Sequence, residues 1–278
     1  MRIAHFLATA GIDSRRKCEQ LVLKGYVQIN GKRLTDLGRQ VDRENDIVTY
    51  RGNNVRLPEP VFIMMNKPRG YTVTAGDPHA KKTVYELLPK KFVPQTHEAM
   101  THKIRIFAVG RLEKEISGLL LFTNDGDLSN HLTHPKYGVS RFYEVRLHKP
   151  WEPKDAQHVL KGIKTSDGRL KVMSFKPVSP RVLVLELQQG KTGHIERLFR
   201  KLNYNVQSVH RVGFGPLTMG TMPVGASRFL TKFEVKALRD ASANISPHTR
   251  LKKARTRDGD LPSDADIVSE SGDALPES

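Results

Sequence analysis

Four apolar runs of strand length, at residues 61–65, 118–123, 143–147 and 181–187, are separated by turn signals and by two or three segments of helical character. The pattern predicts a mixed α+β domain with an antiparallel-rich sheet over residues 61–240. Upstream lies a smaller unit over residues 1–50. Ile3, Phe6, Leu7 and Ala10 fall at helical spacing and Gly11 stands where such a helix ends. Ser14 can cap a second helix over 15–24, with Cys18, Leu21 and Val22 inward and Gly25 as its stop. Residues 26–34 then read as a β-hairpin about the type I′ pair Asn30-Gly31, and 46–50 as a closing strand. The polar stretch 51–54 and the Pro-rich step 57–60 read as a linker over 51–60, and residues 241–278 as a disordered tail.

Charge says what such a chain meets. Lys and Arg number 46 against 29 Asp and Glu, a net charge of +17. The seven acids after Arg257 have no basic counterpart, so residues 1–257 carry +24. A polyanionic partner is expected, nucleic acid first. Cys18 is the single cysteine, which excludes an internal disulfide and a zinc site built on several thiolates, and it fits a reducing compartment. No apolar run approaches the ~20 residues needed to cross a bilayer, and residues 1–5 lack a secretory apolar core. The expectation is a cytoplasmic, monomeric protein.

Within the small unit, Arg15, Arg16 and Lys17 begin the second helix, and Lys24, Lys32 and Arg33 lie beyond it. Cations there can grip phosphates beside the partial positive charge of a helix N-terminus. The order of helix, Gly11, Ser-Arg-Arg start and Tyr26-Val27-Gln28-Ile29-Asn30-Gly31-Lys32 hairpin closely resembles the RNA-binding domain first known from small-subunit ribosomal protein four. Arg2 joins these cations in the expected RNA-binding set.

Three segments of the larger unit carry a second resemblance. Met65-Asn66-Lys67-Pro68-Arg69-Gly70-Tyr71 is a strand ending in a basic, Pro-locked, Gly-opened turn suited to an RNA backbone, with Lys67 and Arg69 as its contacts. A long run from Val109 to Gly126 includes Gly110-Arg111-Leu112-Glu113 and Thr123-Asn124-Asp125-Gly126, and Arg141-Phe142-Tyr143 follows. The third segment begins at Gly190-Lys191-Thr192, continues through Ile195, Arg197 and Phe199, and reaches Arg211. Together these resemble the ribosomal branch of the pseudouridine synthases, the RsuA/RluB type, across residues 60–240.

The resemblance implies cleavage of the N1–C1′ bond of a uridine, rotation of the base and rejoining through C5, without cofactor or metal. The target base must first leave its stack. It implies a carboxylate at Glu113, a base-stacking Tyr143 that helps remove the C5 proton, and support from Arg111, Asn124, Asp125 and Arg197. Two positions depart from the family. Its carboxylate is an Asp, and Glu113 adds roughly 1.5 Å of reach, where misplacing a reacting atom by about 1 Å costs on the order of 10²-fold in rate. Its cation in the third segment is replaced by Glu196, so two carboxylates face each other, which raises the pKa of at least one. Gly193 and Glu115-Ile116 also depart. Lys191 and Arg197 are the cations at hand to replace the lost one.

Two functions follow: an isomerase acting on a uridine of structured ribosomal RNA, or a catalytically degenerate relative that binds ribosomal RNA or an assembly intermediate. Gly190-Lys191-Thr192 is not a nucleotide loop, because Leu185 occupies the position of its required Gly. His131 and His134 lack further ligands, so a helix end before Pro135 is expected there and no metal site.

Overall fold

The structure, a computed structural model, describes residues 1–74, 77, 79–89, 105–165, 168–170, 172–188 and 193–243. Helices α1 (Ile3–Thr9) and α2 (Arg15–Leu23) form the expected pair. The Ser14 hydroxyl caps α2 by accepting the Lys17 N–H at 3.4 Å. Ile3, Phe6, Leu7, Cys18 and Val22 make one small core with Val27 and Val48, while Leu21 is only half-buried. Burial pushes the Cys18 thiol up to about 11, so it is an inert core group.

Strands β1 (Val27–Ile29) and β2 (Lys32–Leu34) flank Asn30 and Gly31, whose φ values of 52° and 76° are those a type I′ turn requires. Strand β3 (Val48–Tyr50) lies on the other side of β1. Residues 51–54 differ from the linker expected: Arg51 and Gly52 take φ values of 49° and 82°, and the chain turns back as β4 (Asn53–Asn54) on β3. Two residues with positive φ close this hairpin as Asn30-Gly31 closes the first, a signal masked in the sequence by Arg at the first position.

The larger unit contributes β5 (Phe62–Lys67), β6 (Phe107–Ala108), β7 (Ser117–Thr123), β8 (Arg141–Leu147), the separate pair β9 (Ile163–Thr165) and β10 (Gly168–Leu170), β11 (Ser174–Ser179), β12 (Val182–Leu187), β13 (Val206–Phe214), β14 (Leu217–Thr218) and β15 (Ser227–Phe229). Nine of these form one sheet in the order β11-β12-β8-β13-β7-β5-β15, with β14 on β13 and β6 on β7. Strands β7 and β13 run parallel and the remaining pairs antiparallel. Helices α3 (Gly126–Thr133), α4 (Ala156–Lys161), α5 (His194–Lys201) and α6 (Lys232–Ala243) complete it, four among the described residues rather than two or three.

The four apolar runs are all strands because the sheet is buried on both faces. Ile63, Met65, Leu120, Phe122, Tyr143 and Leu185 point into one core, closed by Ile195, Leu198 and Phe199 of α5. Met64, Leu119 and Leu121 point into the other, closed by Leu128 and Leu132 of α3 and Leu238 of α6. Ala241 and Ser242 are buried in the last turn of α6, so order extends past the boundary expected at 240. The rest of the expected tail lies outside the described residues. No helix among the described residues is long and apolar enough to cross a membrane.

Candidate active site

One row of residues crosses five strands of the large sheet. Leu185 pairs with Tyr143, Tyr143 with Arg211, Arg211 with Gly118, and Gly118 with Lys67. Directly paired residues on neighbouring strands share a face, so Tyr143, Arg211 and Lys67 project to the side of the core that α5 closes. Gly118 makes the row possible. A Cβ there would lie 2.3 Å from the Arg211 carbonyl oxygen and 2.6 Å from its nitrogen, and its φ of 108° is itself a glycine conformation.

Arg211 is 1% exposed, and its Nε donates to the Leu119 carbonyl at 2.6 Å. Its guanidinium also hydrogen-bonds Tyr143 and attracts the phenolic oxygen, which offsets part of the burial that pulls the Arg211 pKa down. Arg141 is drawn down by burial as well, and it too attracts Tyr143. Arg211 and Arg141 both stack on Phe214, with centroid distances of 5.2 and 5.3 Å. Sequence placed Arg211 in the third matching segment without a role, since nothing in one chain marks an Arg as buried against a Tyr.

Lys67 is a correction. Expected to meet RNA, it is fully buried, and its ammonium donates to the carbonyls of Pro68 (3.0 Å), Glu113 (3.1 Å), Lys114 (3.2 Å) and Ile116 (2.7 Å). Burial pushes its pKa down to about 8, with the charge of Glu115 opposing the shift and that of Arg211 adding to it. Lys67 therefore shapes the loop that carries Glu113. The Gly70 N–H on the Lys114 carbonyl (2.8 Å) and the Arg69–Glu115 ion pair (3.2 Å) join the same two segments, so the Pro-Arg-Gly turn packs on the loop, with Arg69 itself exposed.

Leu112 and Ile116 anchor that loop in the core on either side of Glu113. The half-buried Glu113 carboxylate accepts the backbone N–H of Gly193 at 2.8 Å. Gly193 is the N-cap of α5, with a φ of 65° that favours glycine. Glu113 and Gly193, both read from sequence as departures from the family pattern, are thus partners, and the carboxylate ends at the N-terminus of a helix. Glu196 follows in the first turn of α5, where burial first and the charge of Glu113 second raise its pKa, against Arg197 and Arg200. The charge of Glu113 thus reaches Glu196, and the upward shift falls on Glu196.

The remaining expected residues scatter. Arg111 is exposed on the loop, and Arg197 is half-buried in α5 beside Glu196. Lys191 lies outside the described residues. Asn124 and Asp125 stand past the far end of β7, six and seven residues from Gly118 and so about 20 Å from the row. Asn124 instead accepts the Val61 N–H (2.7 Å) and donates to the Glu59 carbonyl (2.9 Å), and Asp125 caps α3 through the Leu128 N–H (2.9 Å). Both line a cavity of about 660 Å³ against His5 and Arg43 of the small unit, away from Glu113. His134 ends α3, and its Nδ1 accepts the Lys136 N–H at 3.2 Å.

A family model described as RNA pseudouridylate synthase matches residues 61–201, and the S4 domain model matches residues 1–48. The chain belongs to the RNA pseudouridylate synthase family. The ribosomal large subunit pseudouridine synthase B of Bacillus subtilis is 34% identical over 245 residues, 86% of this chain and 95% of that one. An RNA pseudouridine synthase of Aquifex aeolicus is 32% identical over 86% of this chain and 93% of its own. A solved pseudouridylate synthase covers 86% of this chain and 99% of its own at a TM-score of 0.59 and 23% identity, a likeness of fold. Within this pseudouridylate synthase fold, the S4 cations Arg2, Arg15, Arg16, Lys17, Lys24, Lys32 and Arg33 are all exposed. Lys17 shares its charge with Asp13 at 3.4 Å.

Proposed function

We propose that this family member binds structured ribosomal RNA in the cytoplasm, as a monomer, and isomerises one uridine to pseudouridine. The observation that carries the reading is the Glu113 carboxylate on the Gly193 N–H, on the face where Arg211 holds Tyr143. In the reaction the N1–C1′ bond breaks, the base turns over, a C5–C1′ bond forms, the C5 proton leaves and N1 gains one. The balance requires neither oxidant nor metal. Glu113 supplies the carboxylate that attacks or steadies C1′, held by the Gly193 N–H at the N-terminus of α5. Tyr143 stacks on the base and takes part in removing the C5 proton, held in place by the Arg211 guanidinium. Exposed cations on the S4 unit, with Arg69 and Arg111, position the backbone.

Family membership over most of the chain favours this reading over a non-catalytic relative. Incubation with ribosomal RNA carrying tritium at uridine C5 decides it: tritium above a blank is expected, and its absence from RNA that is demonstrably bound would sink the isomerase.

A further inference from the structure

We propose that Tyr26 and Arg51 form a stacking platform for an unpaired nucleobase of the bound RNA, a subsite distinct from the phosphate contacts of the S4 unit; it rests on the RNA-binding reading above. Tyr26 precedes β1, in which Val27 and Ile29 are buried and Gln28 is exposed, so it shares the solvent side with Gln28. It is 44% exposed. Arg51 stands opposite it, its N–H donating to the Tyr26 carbonyl at 3.0 Å. The guanidinium carbon lies 5.1 Å from the centroid of Tyr26 and 5.4 Å from that of Tyr50. The turn that places Arg51 there needs two positive φ values, and an Arg adopts the first of them at 49°.

A folded chain gains little from leaving a Tyr this open under an exposed Arg; a flat partner covering both would gain more. The surroundings say what that partner is. Arg33 lies across Gly25, where an added Cβ would meet its Nε at 1.9 Å, and its Nη2 donates to the Lys24 carbonyl at 3.0 Å. Among the described residues none of Lys24, Arg33 and Arg51 has a carboxylate within 4.0 Å. A planar π face rimmed by three uncompensated cations fits a nucleobase flanked by its own phosphates, and bases of single-stranded RNA stack both on aromatic rings and on guanidinium planes.

The test separates stacking from charge. Affinities of the full chain are measured across a salt series for a ribosomal-type stem with an unpaired loop and for the same stem fully paired. For the looped RNA, Tyr26→Leu is expected to lose about 5- to 100-fold in affinity with no change in salt slope. Tyr26→Phe should stay within about twofold of wild type, since it keeps the ring. Binding of Tyr26→Leu to the paired stem should match wild type, which also shows the variant folded. Lys24→Ala, a phosphate contact, should lower the slope on both RNAs by about 0.7 to 0.9. Wild-type affinity of Tyr26→Leu for the looped RNA, an equal loss on both RNAs, or a lowered slope each overturns the platform. A wild-type protein that binds neither RNA overturns the RNA reading itself.

Discussion

Glu196 sits half-buried in the first turn of α5, with its Oε2 buried and unpartnered among the described residues and Glu113 nearby. Its pKa is raised in the folded chain, so between the unfolded value and the raised one the folded state binds more protons. This contribution to stability is full below the unfolded pKa and is lost as pH rises through the folded one. Glu196→Gln should therefore raise the melting temperature at pH 8 and leave it nearly unchanged at pH 4; an equal shift at both would argue against the carboxylate pair. For the chemistry, Glu113→Gln keeps the size and the Gly193 contact but removes the charge. It should abolish tritium release while RNA affinity stays within about twofold, unlike a change that unfolds the loop. Neither residue's setting was legible: the sequence paired Glu113 with Glu196 through the resemblance alone, and the Gly193 N–H could not be foreseen because its partner is 80 residues away.

Elements explain which parts of the site a sequence can announce. Strands β5, β7, β8 and β12 declared themselves as apolar runs, whereas β11 and β13 carry polar residues through their length and went unread, and β6, β14 and β15 are two or three residues long and leave no pattern. Lys67 was misread as well. A Lys before Pro-Arg-Gly looks like a surface cation, and only the fold of the 113–116 loop back onto β5 converts it into a clamp. Lys67→Met should fill the space yet leave four carbonyls short of a donor, costing about 1–3 kcal/mol in a denaturant titration. Catalysis should fall further than stability, because the loop holds Glu113. Gly118→Ala meets the Arg211 backbone rather than a pliable side chain, so a loss of about 1–3 kcal/mol or more is expected, with β7 and β13 parting first.

At the scale of the whole molecule, charge and the order of its two units were readable from composition and hairpin signals, while the way they meet was not. Asn124 ties the chain just before β5 to the end of β7, and the His5–Asp127, Arg43–Asp127 and Arg105–Asp13 pairs, at 3.5, 3.6 and 3.9 Å, bridge the S4 unit to the rest. The two arginine pairs, exposed on both sides, are worth about 0–1 kcal/mol each and orient more than they bind. RNA affinity should come mainly from the open cations. Replacing Arg15, Arg16 and Lys32 with Ala together should lower the slope of log affinity against log salt by about 2 to 3, checked by titration from low to physiological salt, and an unchanged slope would remove these residues from the interface.

The row that links Lys67, Gly118, Arg211 and Tyr143 is spaced by backbone pairing, about 4.8 Å from strand to strand. The positions read from sequence as departures from the family pattern, 113, 115, 116, 193 and 196, lie off the sheet, on the clamped loop or at the start of α5. The molecule thus divides its chemistry between a part whose geometry is set by the ladder and a part that can be rewritten above it. Substitutions on the loop or at the start of α5 can therefore change which groups oppose the carboxylate without moving the tyrosine on its strand.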